Sequence, residues 1–199
     1  MIGYRDFTQL QANEQEGVDY LTRHRDGESV LLVMAPHGGG IEPGTGDIAD
    51  AVAGRRHAFY CFKGIKPAGN RILHIASNRF VDPLAERILQ KVQWVLALHG
   101  CRGEEPLILV GGRDTKRGAA ILQALREGDL PARRCERPGL RGLNPNNFCN
   151  RGRSGAGVQL EISLGLRRML FTDLQLRPTR QPTALFHRLV SAIGPCLDT

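Results

Sequence analysis

Residues 29–42 read Ser-Val-Leu-Leu-Val-Met-Ala-Pro-His-Gly-Gly-Gly-Ile-Glu, and this stretch decides the fold. Ser29 to Ala35 is a short, unbroken apolar run, the pattern of a strand buried on both faces rather than one. Pro36 and the glycines end it. His37 follows the strand at once, where open α/β sheets gather their ligands. Three glycines then let the backbone turn sharply and bring Glu42 back toward His37.

Working outward, the same pattern recurs. Arg71–Ala76, Trp94–Leu98, Pro106–Gly111 and Gly157–Ile162 all read as strands. Helical stretches lie between several of them. Asp82-Pro83 fits an N-cap followed by proline in the first turn, leading into Leu84–Lys91. Asp114 opens Thr115–Arg126 in the same way, with Gly128 as the stop. Asn13–Arg25 reads as an opening helix and Thr183–Ile193 as a closing amphipathic one. Buried strands alternating with helices predict an α/β fold, a sandwich around a mixed, mostly parallel sheet. One domain spanning residues 1–199 is expected, since a chain of this length buries a single core. Residues 131–156, rich in Pro, Gly and Asn, form the irregular part, and a loop that long in a compact domain is more often functional than idle.

Composition narrows the classes. The apolar fraction of 41% and charged fraction of 24% belong to a globular protein. No apolar stretch is long enough to span a bilayer, and no membrane partner is expected. Met1–Asp6 lacks the apolar core and cleavage site of a signal peptide, so the chain reads as cytoplasmic, with release by host lysis as a further route. Five cysteines, an odd number with no CxxC pair, predict reduced thiols, a Cys135–Cys149 bridge being the alternative. The net charge of +7 favours anionic partners. An acidic polymer, a carboxylate substrate and nucleic acid all satisfy it.

The candidate chemistry lies at five places. His37 and Glu42 offer an imidazole nitrogen and a carboxylate oxygen, two of the donors a catalytic zinc takes. A phosphate-cradling glycine loop is the rival reading, weakened by Glu42 and by the missing Lys-Ser/Thr. Val95-Leu96-Ala97-Leu98-His99-Gly100-Cys101 again runs a strand straight into His-Gly, and His99 completes a His2Glu set with a fourth position left for water. Cys101 is a rival ligand, though alternate residues of an extended chain point to opposite sides. Glu161 sits within an apolar strand, where burial raises a carboxyl pKa toward the range of a general base; alternation also allows it to face solvent from an edge strand. Asn150 and Arg151, flanked by glycines, suit a carboxylate, because a guanidinium grips one in a bidentate fork; a solvated basic loop is the alternative. Arg79 and Asn78 are candidates to line the cleft. His74, between apolar residues, reads as a core histidine.

The runs Ala35–Thr45, Leu98–Cys101 and Asn150–Ser163 resemble the phage-type poly-γ-glutamate hydrolase family, over about residues 15–195. That family is related in fold to the zinc carboxypeptidases. The resemblance implies a three-layer α/β/α sandwich of the phosphorylase/hydrolase type and one catalytic Zn2+ held by His37, Glu42 and His99. It further implies that Glu161 is the general base, that Asn150 and Arg151 bind substrate carboxylate, and that the reaction is hydrolysis of γ-glutamyl amide bonds in poly-γ-glutamate. Asn78 stands where many relatives have a histidine, which touches substrate choice rather than the metal, and the Arg-rich stretch 126–141 has no counterpart. The alternatives are a zinc carboxypeptidase or deacylase acting on a small acidic amide, and a metal-free basic module on nucleic acid. Intact His37, Glu42, His99 and Glu161 weigh against the last. The expected protein is a monomer.

Overall fold

A computed structural model describes residues 3–175 and 179–198. Met1 and Ile2 of the terminal stretch read above lie outside the described residues. Seven strands form one sheet: β1 (Tyr20–Arg25), β2 (Leu31–Gly39), β3 (Ala58–Gly64), β4 (Trp94–Cys101), β5 (Ile108–Gly112), β6 (Ala132–Arg134) and β7 (Val158–Ser163). Their order is β1-β3-β2-β4-β7-β5-β6. The central four, β3, β2, β4 and β7, run parallel; β1 is antiparallel to β3, and β5 antiparallel to β7. The mixed, mostly parallel sheet is as expected.

Helices cover both faces, which is why the strands are apolar on both. On β2, Leu31, Val33 and Ala35 join one core while Leu32 and Met34 join the other. The first core is closed by α2 (Thr45–Ala53), α4 (Thr115–Glu127), α5 (Leu164–Leu170) and α6 (Ala184–Ile193), through Ile48, Ile121, Leu166 and Leu189. The second is closed by α1 (Phe7–Gln11), α3 (Pro83–Leu89) and the segment around Phe80, through Phe7, Leu10, Ile88 and an aromatic group that includes Phe62 and Phe148. Three α/β/α layers result. The caps read from sequence are formed: Asp82 and Asp114 accept from the amides of Leu84 and Arg117, and Thr183 caps the closing helix in the same way, accepting from the Phe186 amide.

Two elements differ from expectation. Residues 13–25 do not make a helix; the second half is β1, its residues paired one-for-one with β3 from Tyr20↔Gly64 to Arg25↔Phe59. Tyr20, Thr22 and His24 alternate with Leu21, Arg23 and Arg25, a period of two that Val18 and Leu21 mask at helical spacing. Residues 71–76 are not a strand. Asn70–Leu73 closes a 3₁₀ turn and the chain then runs extended, with Leu73 and Ile75 buried and Ile72 exposed. The strand in that region is β3, whose run Ala58-Phe59-Tyr60-Cys61-Phe62 is buried throughout. All five cysteines are free thiols. Among the described residues no helix is long and apolar enough to cross a membrane.

Candidate metal centre and its cavity

The centre forms where β2 leaves its neighbour. Pairing of β2 with β4 ends at Met34↔Ala97, and its register with β3 shifts between Ala35 and Gly38. Pro36 and His37 occupy that irregularity, so the imidazole leaves the ladder pattern and turns into the crevice. The following loop is held by its own backbone: the Glu42 amide donates to the His37 carbonyl at 2.8 Å, and the Gly40 amide to the Gly64 carbonyl at 2.9 Å. Gly39 is at φ +67°, and a Cβ there would lie 2.2 Å from the Gly64 carbonyl oxygen, so only glycine fits.

Three side chains converge as a result. His37 Nδ1 lies 3.2 Å from Glu42 Oε1, the two imidazole Nδ1 atoms of His37 and His99 are 3.2 Å apart, and His99 Nδ1 is 3.7 Å from Glu42 Oε2. Tetrahedral zinc with bonds of about 2.0–2.1 Å spaces its donors about 3.3 Å apart, and each imidazole nitrogen stands 3.2–3.7 Å from its nearer Glu42 oxygen and 3.2 Å from the other imidazole. The tautomer agrees. His37 Nε2 is 2.7 Å from the Ile75 carbonyl, an acceptor only, so Nε2 carries the proton and Nδ1 presents its lone pair inward. The Gly100 amide donates to Glu42 Oε2 at 2.8 Å and fixes that carboxylate. Two imidazole nitrogens and a carboxylate facing one another in a buried site are a donor set for a divalent cation.

Burial sets the protonation. His37 is 1% exposed, and loss of solvent pushes its pKa down to about 4, leaving a neutral ligand. Burial works against ionised Glu42 as well, but the neighbouring His37, His74 and His99 outweigh it and hold the carboxyl well below its usual range. His99 shifts upward despite burial, drawn by its hydrogen bond to Glu42 and by the field of Glu161.

Glu161 comes from β7, paired in register with His99 on β4. It does not face solvent from an edge: β7 is interior, and Glu161 is 5% exposed. Desolvation lifts its pKa to about 7. Gln159, two residues earlier on the same face, donates from Nε2 to Glu161 Oε1 at 2.9 Å and to the Leu140 carbonyl at 3.1 Å. Its own carbonyl oxygen accepts from Asn147 Nδ2 at 3.0 Å.

These groups floor a cavity of about 820 Å3. Cys101 lines it too, but among the described residues the converging donors are His37, Glu42 and His99. Arg71, Arg102 and Arg137 stand on its exposed rim, and Glu42 and Glu161 are its only carboxylates among the described residues. Arg167, 4% exposed, donates to the Ile162, Pro43 and Cys101 carbonyls, tying together the three segments that carry Glu161, Glu42 and His99.

The other predicted residues fall elsewhere. Asn78 lines the cavity; Arg79 is exposed and outside the lining. Asn150 is buried, its amide nitrogen donating to the Gly142 and Asn144 carbonyls. Arg151 pairs with Glu86, donates to the Phe80 carbonyl and lies over the Phe148 ring. Neither Asn150 nor Arg151 lines the cavity. His74 is not a core histidine: its half-exposed ring stacks on His37 at 3.9 Å, with Nε2 3.6 Å from Glu42 Oε1. His74, Gln159, Asn147 and Arg167 were not among the expected site residues, although the alternation that put Glu161 on one face of β7 put Gln159 there as well.

This geometry can be set beside known proteins. Residues 4–192 match the poly-gamma-glutamate hydrolase family, nearly the whole chain. The chain belongs to that family. A solved bacteriophage poly-gamma-glutamate hydrolase superposes with a TM-score of 0.92 at 31% identity, covering 97% of this chain and 95% of that one. A structure of YndL in its zinc-free apo form gives a TM-score of 0.92 at 34% identity, covering 98% and 97%. Among sequences, UPF0714 protein YmaC of Bacillus subtilis (strain 168) is 36% identical over 197 residues, 98% of this chain and 83% of YmaC. For this poly-gamma-glutamate hydrolase family member, the sheet, its order and the crevice at the strand tips are thus the fold of a hydrolase of that name.

Proposed function

We propose that the protein is a zinc-dependent hydrolase of γ-glutamyl amide bonds in poly-γ-glutamate or a closely similar acidic polymer. The observation that carries this reading is the convergence of His37 Nδ1, His99 Nδ1 and the Glu42 carboxylate beside a buried Glu161. Membership of the poly-gamma-glutamate hydrolase family supports the substrate class, and the zinc-free form in which YndL was solved supports the metal.

Zinc bound by His37, Glu42 and His99 would supply Lewis acidity, polarising the scissile carbonyl and acidifying water. Glu161 takes the proton of the attacking water and delivers it to the leaving amine, a role suited to a carboxyl whose burial lifts its pKa to about 7. Gln159 holds that carboxylate in place. The rim cations Arg71, Arg102 and Arg137 attract a chain carrying one carboxylate per residue, and such steering weakens with salt. The protein acts as a monomer in this reading, with nucleic acid no part of its function.

The test is metal analysis of the purified protein together with a polymer assay. One zinc per chain and a fall in viscosity of poly-γ-glutamate solutions are expected. A protein without bound metal sinks the proposal and leaves the metal-free basic module; one that holds zinc but releases single residues from short acidic amides and leaves the polymer long sinks it in favour of the carboxypeptidase or deacylase alternative.

A further inference from the structure

On the α2 face of the sheet, behind the metal-binding loop, lies a second, smaller cavity of about 70 Å3, several times what one water needs. Its walls come from Arg23 on β1, Lys63 on β3, Asp47 on α2 and Arg180, with Gly39 and Gly46 on either side. The two glycines flank the residues that carry Glu42, so the cavity backs directly on the turn that builds the metal centre.

The charges do not balance. Arg23 shares Asp50 with Arg25, at 3.3 and 2.8 Å. Arg180 pairs with Asp47. Lys63 has no acidic partner among the described residues, and on the cavity wall three cations, Arg23, Lys63 and Arg180, face one carboxylate, Asp47. Arg180 adds a sharper observation. Its side chain is only 7% exposed, and its buried Nε has no hydrogen-bond partner among the described residues. A buried guanidinium nitrogen left unmatched is destabilising unless something accepts from it. The first turn of α2 also opens at this cavity with no capping side chain, so the positive end of the helix adds to the field.

We propose that this pocket binds a small tetrahedral oxyanion of the sulfate or phosphate class between Lys63, Arg23 and Arg180. It braces the loop that carries His37 and Glu42 from behind, and it is separate from the metal centre, so it stands or falls independently of the hydrolase reading.

The experiment is a thermal-denaturation titration with sodium sulfate, against sodium chloride at matched ionic strength, on zinc-loaded and metal-stripped protein. The expected result is a saturating rise in Tm, about 3–6 °C at ten times the dissociation constant, seen with and without zinc. Lys63→Met, which strands no carboxylate, loses the rise, and Lys63→Arg keeps it; Arg180→Met, on a separate segment, loses it too. Sulfate also stabilises proteins generally by exclusion from their surfaces. A rise that never saturates, or that is equal in Lys63→Met, is that general effect and overturns the proposal. So does a rise that vanishes when zinc is stripped, since the anion then sits at the metal, or one that acetate reproduces in full.

Discussion

His99 and Glu161 are register partners on adjacent parallel strands, β4 and β7. A candidate metal-ligating imidazole and a carboxylate held this way need no loop to bring them together. Their separation is set by the ladder between two strands, while Glu42 comes to them on a glycine turn. The proposed ligand set and the proposed base are thus positioned by different parts of the chain and can be perturbed one at a time.

The first consequence concerns Glu161. Glu161→Gln keeps the shape of the side chain and an oxygen that can accept from Gln159, and removes its charge and basicity. Turnover of poly-γ-glutamate should fall by about 10²–10⁴-fold, the usual contribution of general acid–base catalysis. Zinc stoichiometry should be unchanged, because Glu161 is outside the converging donor set. Steady-state kinetics and metal analysis of the same preparation check this, and near-normal rates would remove Glu161 from its role.

Gln159 lines the cavity, but its hydrogen bonds run to Glu161, Leu140 and Asn147, and we expect it to act by holding Glu161. Its amide nitrogen donates to Glu161 Oε1, and its oxygen accepts from Asn147, so one buried side chain ties the base to the 138–147 loop. Gln159→Leu frees the carboxylate to rotate and leaves Asn147 without its acceptor. We expect kcat to drop about tenfold or more with KM within twofold, since misplacing a reacting group is felt in the transition state rather than in binding. A change confined to KM would instead put Gln159 among the groups that bind substrate.

Much of this was legible in the sequence, and the limits have physical reasons. His37, Glu42 and His99 could be found because each histidine ends a buried apolar run, a local signal that needs no knowledge of the rest of the chain. The α/β class followed from the same runs. His74 could not be read correctly: its apolar neighbours Leu73 and Ile75 are indeed buried, but a 3₁₀ turn replaces the strand and leaves its ring on the cavity side. Arg167 was invisible because its three carbonyl partners come from three separate segments, a tertiary arrangement with no spacing to betray it. The opening strand β1 was hidden by apolar residues that happen to fall at helical intervals.

Metal removal should be felt in stability as well as activity. Without a cation, His37 and His99 turn two ring nitrogens toward each other 3.2 Å apart beside a buried carboxylate. A ligand that binds the folded state alone stabilises it by RT ln(1 + [L]/Kd), about 2.7 kcal/mol at a hundred times Kd. Chelation should therefore lower Tm by about 5–11 °C, reversed by adding zinc back. His99→Ala removes a donor and should abolish that zinc-dependent shift. A Tm indifferent to zinc in the unmodified protein would mean the three donors hold no metal.

Arg151 separates two readings of the Asn150-Arg151 pair. Its resemblance to a substrate-carboxylate clamp predicts that loss of the guanidinium raises KM. The structure gives that guanidinium other work: it bridges Glu86 on α3 and the Phe80 carbonyl, and it covers the Phe148 ring in the second core. The half-buried pair is more than a surface ion pair, since Arg151 also satisfies a backbone carbonyl and packs on an aromatic face. Arg151→Ala should thus cost about 1–3 kcal/mol of stability in urea denaturation, with KM for the polymer unchanged within twofold below the unfolding transition. The rim cations supply the contrast: Arg137→Ala, exposed and with no ion pair among the described residues, should raise KM at low salt and leave stability within about 0.5 kcal/mol. If Arg151→Ala raises KM and spares stability, the clamp reading holds, and the loop that carries it must move toward the cavity when substrate binds.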